Sequence, residues 1–451
     1  MKSIRRCQSI ITLFLVIFIA GMSVLVIKIN REAPFYMMHS DKHELGMVYD
    51  RSGDVLFDGL HKGTYEDNHF LDIGNLIGDD SGQMENTLVA QNIDKLNNYS
   101  FSAGLVREGG KAAIYTTLNH AANRAVYDAY MGAKGCTVAY NYKTGEILVC
   151  TSLPSIDFTK GYENIGSLES GTLLSKAMCG TVPGSTQKVS TVISALEIMG
   201  PDLLFSKSYN CTGQYTNATG GTIDCHQSWG HGVQNIQQAV ENSCNPFFAQ
   251  LVEDPDMPLE RIIEIYRKLG YAVNDDKPQF LDIDGIQCDR ASTTLTNSSD
   301  FTTQWGCIGQ GDTLVSPVQL MMWQSAIANG TGKMTIPHLI HHVTNVYGDT
   351  CDCAVTKYSD ELFSPSTAET VKRILLTNGA NHYTWSIPNY VVGVKSGTAQ
   401  VMDGQEENSL LVGFLNDEQH PIAFCILIEN KFTTGVTTEQ IAVTLLNALC
   451  Q

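Results

Sequence analysis

Hydrophobic residues follow one another almost without interruption from Ile10 to Ile27, directly after a basic N-terminal segment at residues 2–6. A helix of about eighteen residues, at ~1.5 Å per residue, spans most of a ~30 Å hydrocarbon core. A cleavable signal peptide usually has a shorter apolar segment and a small-residue cleavage site. We therefore expect an uncleaved membrane anchor within residues 1–30, with its basic flank in the cytoplasm and the remainder exported. A cleaved signal peptide is the alternative.

Downstream of this run, apolar residues alternate in short segments or recur at helical spacing, which predicts strands and helices respectively. In chain order we predict two short strands within 46–59, a strand at 113–118, a helix at 119–131, a hairpin at 136–150, a helix after residue 185, helices within 234–268, a helix ending near 329, strands at 391–401, 409–414 and 422–428, and a helix at 438–449.

The C-terminal strands are separated by turns, which predicts an antiparallel meander on which the last helix packs. Together with the hairpin at 136–150 they predict a five-stranded antiparallel sheet covered by helices, an α+β fold. This unit begins near residue 136, and its last strands and final helix come from the C-terminal segment. Its sheet should therefore combine segments that lie far apart in sequence.

Composition narrows the possible functions. The chain has 451 residues, of which 43% are hydrophobic and 17% are charged, as is typical of globular proteins. Its formal net charge is -18, which argues against a nucleic-acid partner because such a partner needs a basic surface. An anionic substrate would have to be bound by local positive groups.

The thirteen cysteines suit an exported protein only in part. An odd number leaves at least one thiol free, and Cys7 lies on the cytoplasmic side of the predicted anchor. Cys211 and Cys225 flank a turn-rich segment and are a candidate disulfide in an oxidising compartment. Two free thiols are the equal alternative.

A second pair of cysteines, Cys351 and Cys353, follows three histidines in sequence. Such a group could suggest a metal site, but the spacing matches no established zinc pattern. Alternating residues on a β-hairpin are the better explanation. We expect neither a metal nor a cofactor. The three histidines are His338, His341 and His342.

Candidate chemistry first arises where a Pro-Gly turn precedes Ser185 and Lys188 follows three residues later. Residues three apart share one face of a helix, so the hydroxyl and the amine can meet. A desolvated lysine can take the proton of a serine nucleophile. Free backbone N–H groups at the helix start would point at the group attacked. The alternative is a helix-capping serine followed by a surface lysine.

Two further segments carry polar residues at defined spacing. Ser243 and Asn245 precede Pro246, which disfavours helix at Asn245 and predicts a turn between two helices. In isolation a capping turn explains that pair. The third segment, Lys395-Ser396-Gly397-Thr398, lies on a predicted strand near the C-terminus.

These three motifs, in this order, resemble the Ser-x-x-Lys, Ser-x-Asn and Lys-Thr/Ser-Gly signatures of penicillin-binding proteins and serine β-lactamases. The context is similar to that of the monofunctional, class B penicillin-binding transpeptidases over nearly the whole exported chain. The supporting segments are Pro183-Gly184-Ser185, Gly309-Gln310-Gly311 with Ser316-Pro317, Tyr49-Asp50-Arg51 and Lys143-Thr144-Gly145-Glu146.

The resemblance implies a β-lactamase/D,D-peptidase-like transpeptidase fold, with an all-helical subdomain beside the sheet. It implies a cytoplasmic tip and transmembrane anchor at 1–30, a small α+β pedestal at 31–134 and a transpeptidase domain at 135–451. The short pedestal leaves no room for a glycosyltransferase domain, so such an activity would come from a membrane-embedded partner.

The resemblance also implies roles for the catalytic residues. Ser185 would attack the carbonyl between the terminal D-alanines of a peptidoglycan stem peptide, and Lys188 would take its proton. Ser243 would relay a proton between Lys188, Lys395 and the leaving amine. β-Lactams would trap Ser185 as an acyl-enzyme.

Substrate binding is implied for a second set of residues. Asn245 would bind the backbone of the substrate, Ser396 and Thr398 would hold its terminal carboxylate, and Gln400 would line the same strand. The backbone N–H groups of Ser185 and Thr398 would form the oxyanion hole. Gly397 fits that strand because a side chain would obstruct the close approach of substrate.

Three functions remain open from the sequence. The first is an anchored D,D-transpeptidase. The second is a D,D-carboxypeptidase or a β-lactamase of the same fold, although no loop acid suggests a base for deacylation. The third is a non-catalytic penicillin-binding scaffold or sensor, which has no physical need to keep the complete set of polar residues.

Overall fold

The computed structural model describes residues 2–38, 44–100, 104–106, 109–162, 165–401 and 404–450. The helices are α1 Lys2–Met38, α2 Gly74–Ile77, α3 Leu88–Gln91, α4 His120–Ala129, α5 Lys188–Ser206, α6 Ile236–Glu241, α7 Asn245–Glu253, α8 Leu259–Leu269, α9 Phe301–Ile308, α10 Pro317–Ala328, α11 Pro365–His382 and α12 Thr438–Leu449. The strands are β1 Met47–Tyr49, β2 Val55–Asp58, β3 Tyr99–Ser100, β4 Gly104–Leu105, β5 Ala113–Thr116, β6 Gly135–Asn141, β7 Ile147–Leu153, β8 Tyr209–Cys211, β9 Gln214–Thr216, β10 Thr222–Asp224, β11 Gly232–Gln234, β12 Ala272–Val273, β13 Phe280–Ile283, β14 Ile286–Asp289, β15 Ser292–Thr293, β16 Ile340–Thr344, β17 Thr350–Cys353, β18 Val392–Val401, β19 Glu406–Leu415 and β20 Ile422–Ile428.

The main sheet has the strand order β18-β19-β20-β6-β7, and every neighbouring pair is antiparallel. Every residue of β20 is buried, because alternating side chains on a strand point to opposite faces and both faces are covered. One face packs on α10 and α11, and the other packs on α4 and α12. The predicted five-stranded α+β fold is confirmed, and β18 forms an edge of the sheet.

The subdomain beside this sheet is mainly helical and contains α5 to α9. It differs from the all-helical prediction because short two-stranded sheets, such as β8-β11 and β9-β10, occupy the connection between α5 and α6. That connection was too polar and turn-rich to predict as strands. It folds over the N-terminal end of α7, next to the motif that contains Ser243.

A second sheet has the order β17-β16-β5-β1-β2. β16 pairs with β5 and β17, so a segment after residue 340 completes the sheet of the N-terminal region. The β16–β17 hairpin confirms the interpretation of Cys351 and Cys353 as alternating hairpin residues. The domain boundary near residue 134 stays a prediction, although the small sheet combines strands from both sides of it.

The N-terminal helix α1 has the composition and length of a membrane span. Ile4–Ile29 has a mean hydropathy of 3.0, and none of that window is buried against the rest of the chain. Gly184–Ser206 also passes the length and hydropathy test, but half of it is buried and it carries the candidate site. It is therefore a core helix. Residues 39–43, which follow α1, lie outside the described residues.

Candidate active site

Ser185 lies in a single 3-10 turn, Gly184–Gln187, that leads directly into α5. The turn packs closely on β18, since a Cβ on Gly184 would lie 2.5 Å from the carbonyl oxygen of Thr398. Gly184 also has φ of 54°, a conformation that only glycine adopts without strain. The Pro-Gly sequence therefore places Ser185 between the start of α5 and the edge strand.

Lys188 is fully buried at the first position of α5. Its Nζ lies 2.7 Å from Ser185 Oγ, 2.7 Å from the carbonyl oxygen of Ser243, 2.7 Å from Asn245 Oδ1 and 3.3 Å from Ser243 Oγ. Burial, followed by repulsion from Lys395, holds the pKa of Lys188 well below its usual value.

The contacts of Lys188 match those of a neutral amine. The carbonyl oxygen of Ser243 and Asn245 Oδ1 can only accept hydrogen bonds, and two N–H donors of the amine satisfy them. In the neutral amine the nitrogen lone pair would then remain for the hydroxyl proton of Ser185, whose Oγ lies 2.7 Å from Nζ. The geometry and the lowered pKa both make Lys188 a suitable proton acceptor.

Ser243 lies on the turn between α6 and α7, in the left-handed conformation with φ of 49°. The predicted turn is thus present, and Asn245 begins α7 with Pro246 behind it. Asn245 uses both ends of its amide: Oδ1 accepts from Lys188, and Nδ2 donates to the backbone oxygen of Asp224. This second bond ties the turn to the last residue of β10.

Lys395 lies on β18 and is only 2% exposed. Its Nζ donates to Ser243 Oγ at 3.0 Å and to the carbonyl oxygen of Ser396 at 2.9 Å. Burial lowers the pKa of Lys395 to about 7. The Ser243 hydroxyl therefore bridges two buried lysines, one from the helix and one from the strand.

These groups open into a cleft of ≈ 580 Å³. Ser396, Thr398 and Gln400 line it from β18, and the stacked rings of Phe301 and Trp305 line it from α9. Gly397 is buried behind this row, where an added Cβ would lie 2.8 Å from the carbonyl oxygen of Pro183. The absence of a side chain thus allows the strand and the serine turn to approach each other.

The structure brings the predicted site residues together in one place. Ser185, Lys188, Ser243, Asn245 and Lys395 form a continuous hydrogen-bonded group. Of the predicted substrate-binding residues of β18, Ser396, Thr398 and Gln400 border the same cleft, whereas Gly397 faces the serine turn instead.

Gln310 and the ring pair Phe301–Trp305 were not predicted as site residues. Gln310 donates a hydrogen bond from Nε2 to the carbonyl oxygen of Thr398 at 3.1 Å and so helps to fix the position of the edge strand β18. It belongs to the Gly309-Gln310-Gly311 segment, which entered the sequence-based interpretation only as supporting context.

A cluster of potential metal ligands lies directly beside this site. The ligand atoms of Cys211, Cys225, His231 and Cys244 are all within 4.8 Å of one another. The two cysteines considered as a disulfide are free thiols in this group. Three sulfurs and one imidazole are a donor set that suits tetrahedral Zn²⁺. His231 and Cys244 were not predicted as ligands, although the Cys-x13-Cys-x5-His-x12-Cys spacing was visible.

A second group of potential ligands, Asp54, His69 and His120, lies in the N-terminal region. His120 donates to Asp54 and contacts Asp72 at 3.3 Å. Although burial lowers its pKa, hydrogen bonds and charge from Asp72 and Asp54 raise the pKa of His120 to about 9. With His120 protonated, these contacts form an ion-pair network of the N-terminal region.

Comparison with known proteins adds four observations. The chain is 27% identical over 290 residues to Stage V sporulation protein D of Bacillus subtilis, covering 62% of this chain and 42% of that protein. It is 25% identical over 376 residues to Peptidoglycan D,D-transpeptidase MrdA of Salmonella typhimurium, covering 73% of this chain and 57% of that protein. The chain thus spans about half the length of these curated relatives.

The third observation concerns the fold. The penicillin G acyl-enzyme complex of penicillin-binding protein A from M. tuberculosis superposes with a TM-score of 0.76 at 19% identity, covering 91% of this chain and all of that chain. The family model for the penicillin-binding protein transpeptidase domain matches residues 135–447. Because this match spans more than half of the chain and agrees with the class B resemblance of the motifs, the chain belongs to the penicillin-binding protein transpeptidase family.

Proposed function

We propose that this chain is a membrane-anchored peptidoglycan D,D-transpeptidase that cross-links stem peptides through an acyl-enzyme on Ser185. The observation that carries the proposal is the environment of Lys188. Two carbonyl-type acceptors take the N–H groups of its amine, and Ser185 Oγ lies 2.7 Å from Nζ. A serine at the cleft whose hydroxyl contacts a buried lysine has a nucleophile and its base in one contact.

In the acylation step, the Oγ–carbonyl bond forms while Lys188 takes the hydroxyl proton. The backbone N–H groups of Ser185 and Thr398 stabilise the developing oxyanion, a contribution for which one donor is worth ~3–4 kcal/mol. The peptide C–N bond then breaks, and the proton passes from Lys188 through Ser243 to the leaving D-alanine amine. The contacts of Ser243 with both lysines support this relay.

Substrate binding in this proposal uses the edge of β18. The positive charge of Lys395 attracts the terminal carboxylate, and Ser396, Thr398 and Gln400 bind it and the adjoining peptide. The net charge of -18 makes such a local cation necessary for an anionic substrate. An amine of a neighbouring stem peptide then attacks the acyl-enzyme and forms the cross-link.

The membrane location is part of the same proposal. The exposed apolar surface of α1 supports a single transmembrane anchor, with the basic residues before it in the cytoplasm and the transpeptidase domain outside. A membrane-embedded glycosyltransferase is the proposed partner that supplies the glycan strand. The predicted division at residues 1–30, 31–134 and 135–451 is retained as the working description of the chain.

Labelling of the full chain with a fluorescent penicillin tests the nucleophile. Ser185→Ala should abolish covalent labelling, and intact mass should show one penicilloyl adduct on the unchanged protein. Ser206→Ala, at the exposed end of the same helix, is the matched control and should label normally. Labelling that persists in Ser185→Ala would overturn the mechanism.

The lifetime of the adduct and the products formed from stem peptides separate the alternatives. A transpeptidase adduct should last many minutes, and added amine acceptors should give cross-linked product. Rapid turnover of penicillin would indicate a β-lactamase, and release of D-alanine without amine transfer would indicate a carboxypeptidase. A protein that takes label but processes no stem peptide would be a scaffold or sensor.

A further inference from the structure

The cleft at Ser185 contains an ion pair that the acyl-transfer chemistry does not use. Glu407 on β19 and Lys431, which begins a single 3-10 turn after β20, both line the cleft. Glu407 Oε2 lies 2.7 Å from Lys431 Nζ, and the two side chains are 23% and 34% exposed. Lys431 Nζ also lies 5.2 Å from the centroid of the exposed Phe432 ring, a distance that suits a cation–π contact. Both charges are therefore held at the cleft and remain accessible to a bound ligand.

The register of the main sheet fixes where this ion pair lies along the cleft. Glu407 is the register partner of Gln400, and Ser409 is the register partner of Thr398. Directly opposite residues of an antiparallel pair project their side chains to the same face, so Glu407 lies beside Gln400. At ~3.4 Å per residue, Gln400 is ~7 Å along β18 from Thr398. The ion pair therefore borders the Gln400 end of the cleft, one strand behind the edge of the sheet.

The binding mode proposed above directs the donor peptide toward this end. Its terminal carboxylate is held near Lys395 and Ser396, and its scissile carbonyl meets the backbone N–H of Thr398. The preceding residues then run along the edge strand toward Gln400. The residue before the two terminal D-alanines, the third of the stem peptide, comes one position further along, at ~3.4 Å per residue. A long side chain at that position extends toward the ion pair.

We propose that Glu407 and Lys431 select a donor stem peptide whose third side chain ends in a zwitterion, with an amine and a carboxylate on one carbon. Such a residue is a diamino diacid. Its ammonium group binds the Glu407 carboxylate while its carboxylate binds the Lys431 ammonium, so that one ion pair becomes two. The inference rests on the proposed transpeptidase function, because it specifies the donor of that reaction.

Charge complementarity favours a zwitterion over a side chain that carries a single charge. An amine alone would compete with Lys431 for Glu407 and would leave the lysine unpaired. A carboxylate alone would leave Glu407 unpaired in the same way. A charge that is covered by a ligand without a partner is costly. A zwitterion exchanges partners with the ion pair and leaves no charge unpaired.

The test compares synthetic pentapeptides that differ only at the end of the third side chain. One carries the zwitterion, one carries lysine, which lacks the carboxylate, and one carries the analogue that lacks the amine. The full chain in detergent is assayed for release of the terminal D-alanine, with one amine acceptor in fixed excess. The measured quantity is kcat/KM, which reports the steps through acylation. We expect kcat/KM for the zwitterion to exceed that of each analogue at least ~10-fold, since each lacks one charge-assisted hydrogen bond.

Two variants should each lose a different half of this preference. Lys431→Met should process the lysine peptide at least as well as the zwitterion but should still discriminate against the analogue without the amine. Glu407→Gln should show the converse pattern. A merely structural role of the ion pair would lower all three rates together and leave their ratios unchanged. The matched control is Lys143→Met, which breaks an ion pair with Glu418 that does not line the cleft and should keep both ratios.

Equal kcat/KM values for the three peptides in the unmodified chain would overturn the inference, as would ratios that persist in both variants. If the chain releases D-alanine from none of the peptides, the proposed function fails instead. Binding of fluorescently labelled forms of the same peptides to Ser185→Ala, measured by anisotropy, would then still test the ion pair. A preference for the zwitterion of at least ~10-fold in affinity would support its role, and equal affinities would refute it.

Discussion

Ser243 combines two features that mutations can separate: a hydroxyl that contacts both Lys188 and Lys395, and a backbone in the left-handed conformation with φ of 49°. Ser243→Ala removes the hydroxyl and keeps the Cβ that strains this conformation. Ser243→Gly removes both. The two variants should therefore lose the same activity but differ in stability.

The expected magnitudes follow from the contacts. Proton relay by a positioned group contributes ~10²–10⁴ to a rate, so both variants should acylate at least ~100-fold more slowly. A hydrogen bond to a charged group is worth ~1.5–3 kcal/mol, and buried Lys395 loses one in each variant. A non-glycine residue in the left-handed region costs ~1–2 kcal/mol. The free energy of unfolding of Ser243→Gly should thus be ~1 kcal/mol higher than that of Ser243→Ala.

The assay pairs fluorescent-penicillin acylation rates with urea unfolding of the same preparations. The matched control is Asn242→Ala, at the preceding, right-handed position of the turn, which should leave the acylation rate within a few fold. The relay is refuted if Ser243→Gly acylates within tenfold of the unmodified chain. The strain argument is refuted if Ser243→Ala is the more stable variant.

Three further predictions concern the same site. Lys395→Met should abolish acylation but raise the melting temperature. Folding lowers the pKa of this lysine to about 7, so its buried positive charge destabilises the folded state. The increase in melting temperature should be largest below pH 7 and should fade as the pH approaches the unfolded pKa of ~10.4. Acylation should rise with pH as Lys188 loses its proton and fall above about pH 7 as Lys395 does, giving a bell-shaped profile; a rate that keeps rising to pH 9 would contradict this. Gly184→Ala should slow acylation at least ~10-fold and lower the melting temperature. Its added Cβ would lie 2.5 Å from the Thr398 oxygen, and the backbone φ of 54° strains any residue with a Cβ. The control Gly180→Ala should be tolerated, because its Cβ would lie 3.5 Å from its nearest neighbour.

Much of the fold could be predicted because local pattern and long-range packing agree. The inner strand β20 is a continuous apolar segment, as expected for a strand covered on both faces. The Ser185 turn was also predictable, since Pro183 and Gly184 have restricted or special backbone preferences. The contact of Ser185 with Lys188 followed from helical spacing alone.

The remaining features depend on contacts between distant segments. Nothing near Ile340 indicates that its strand pairs with β5 across more than two hundred residues. The metal-ligand cluster was hidden because its cysteines lie in a polar, turn-rich connection whose strands are stabilised only by pairing with each other. The sequence spacing alone could not decide between a Cys211–Cys225 disulfide and a metal-ligand cluster that these cysteines share with His231.

The pairing of β16 with β5 has a practical consequence for how the protein can be divided. A fragment that starts at residue 135 would retain β16 and β17 but lose β5, leaving the inner edge of β16 without its hydrogen-bonding partner. Unpaired strand edges recruit other chains and promote aggregation. Soluble versions of this protein should therefore be cut between α1 and β1, so that the strand donated by the C-terminal half keeps the partner with which it folds.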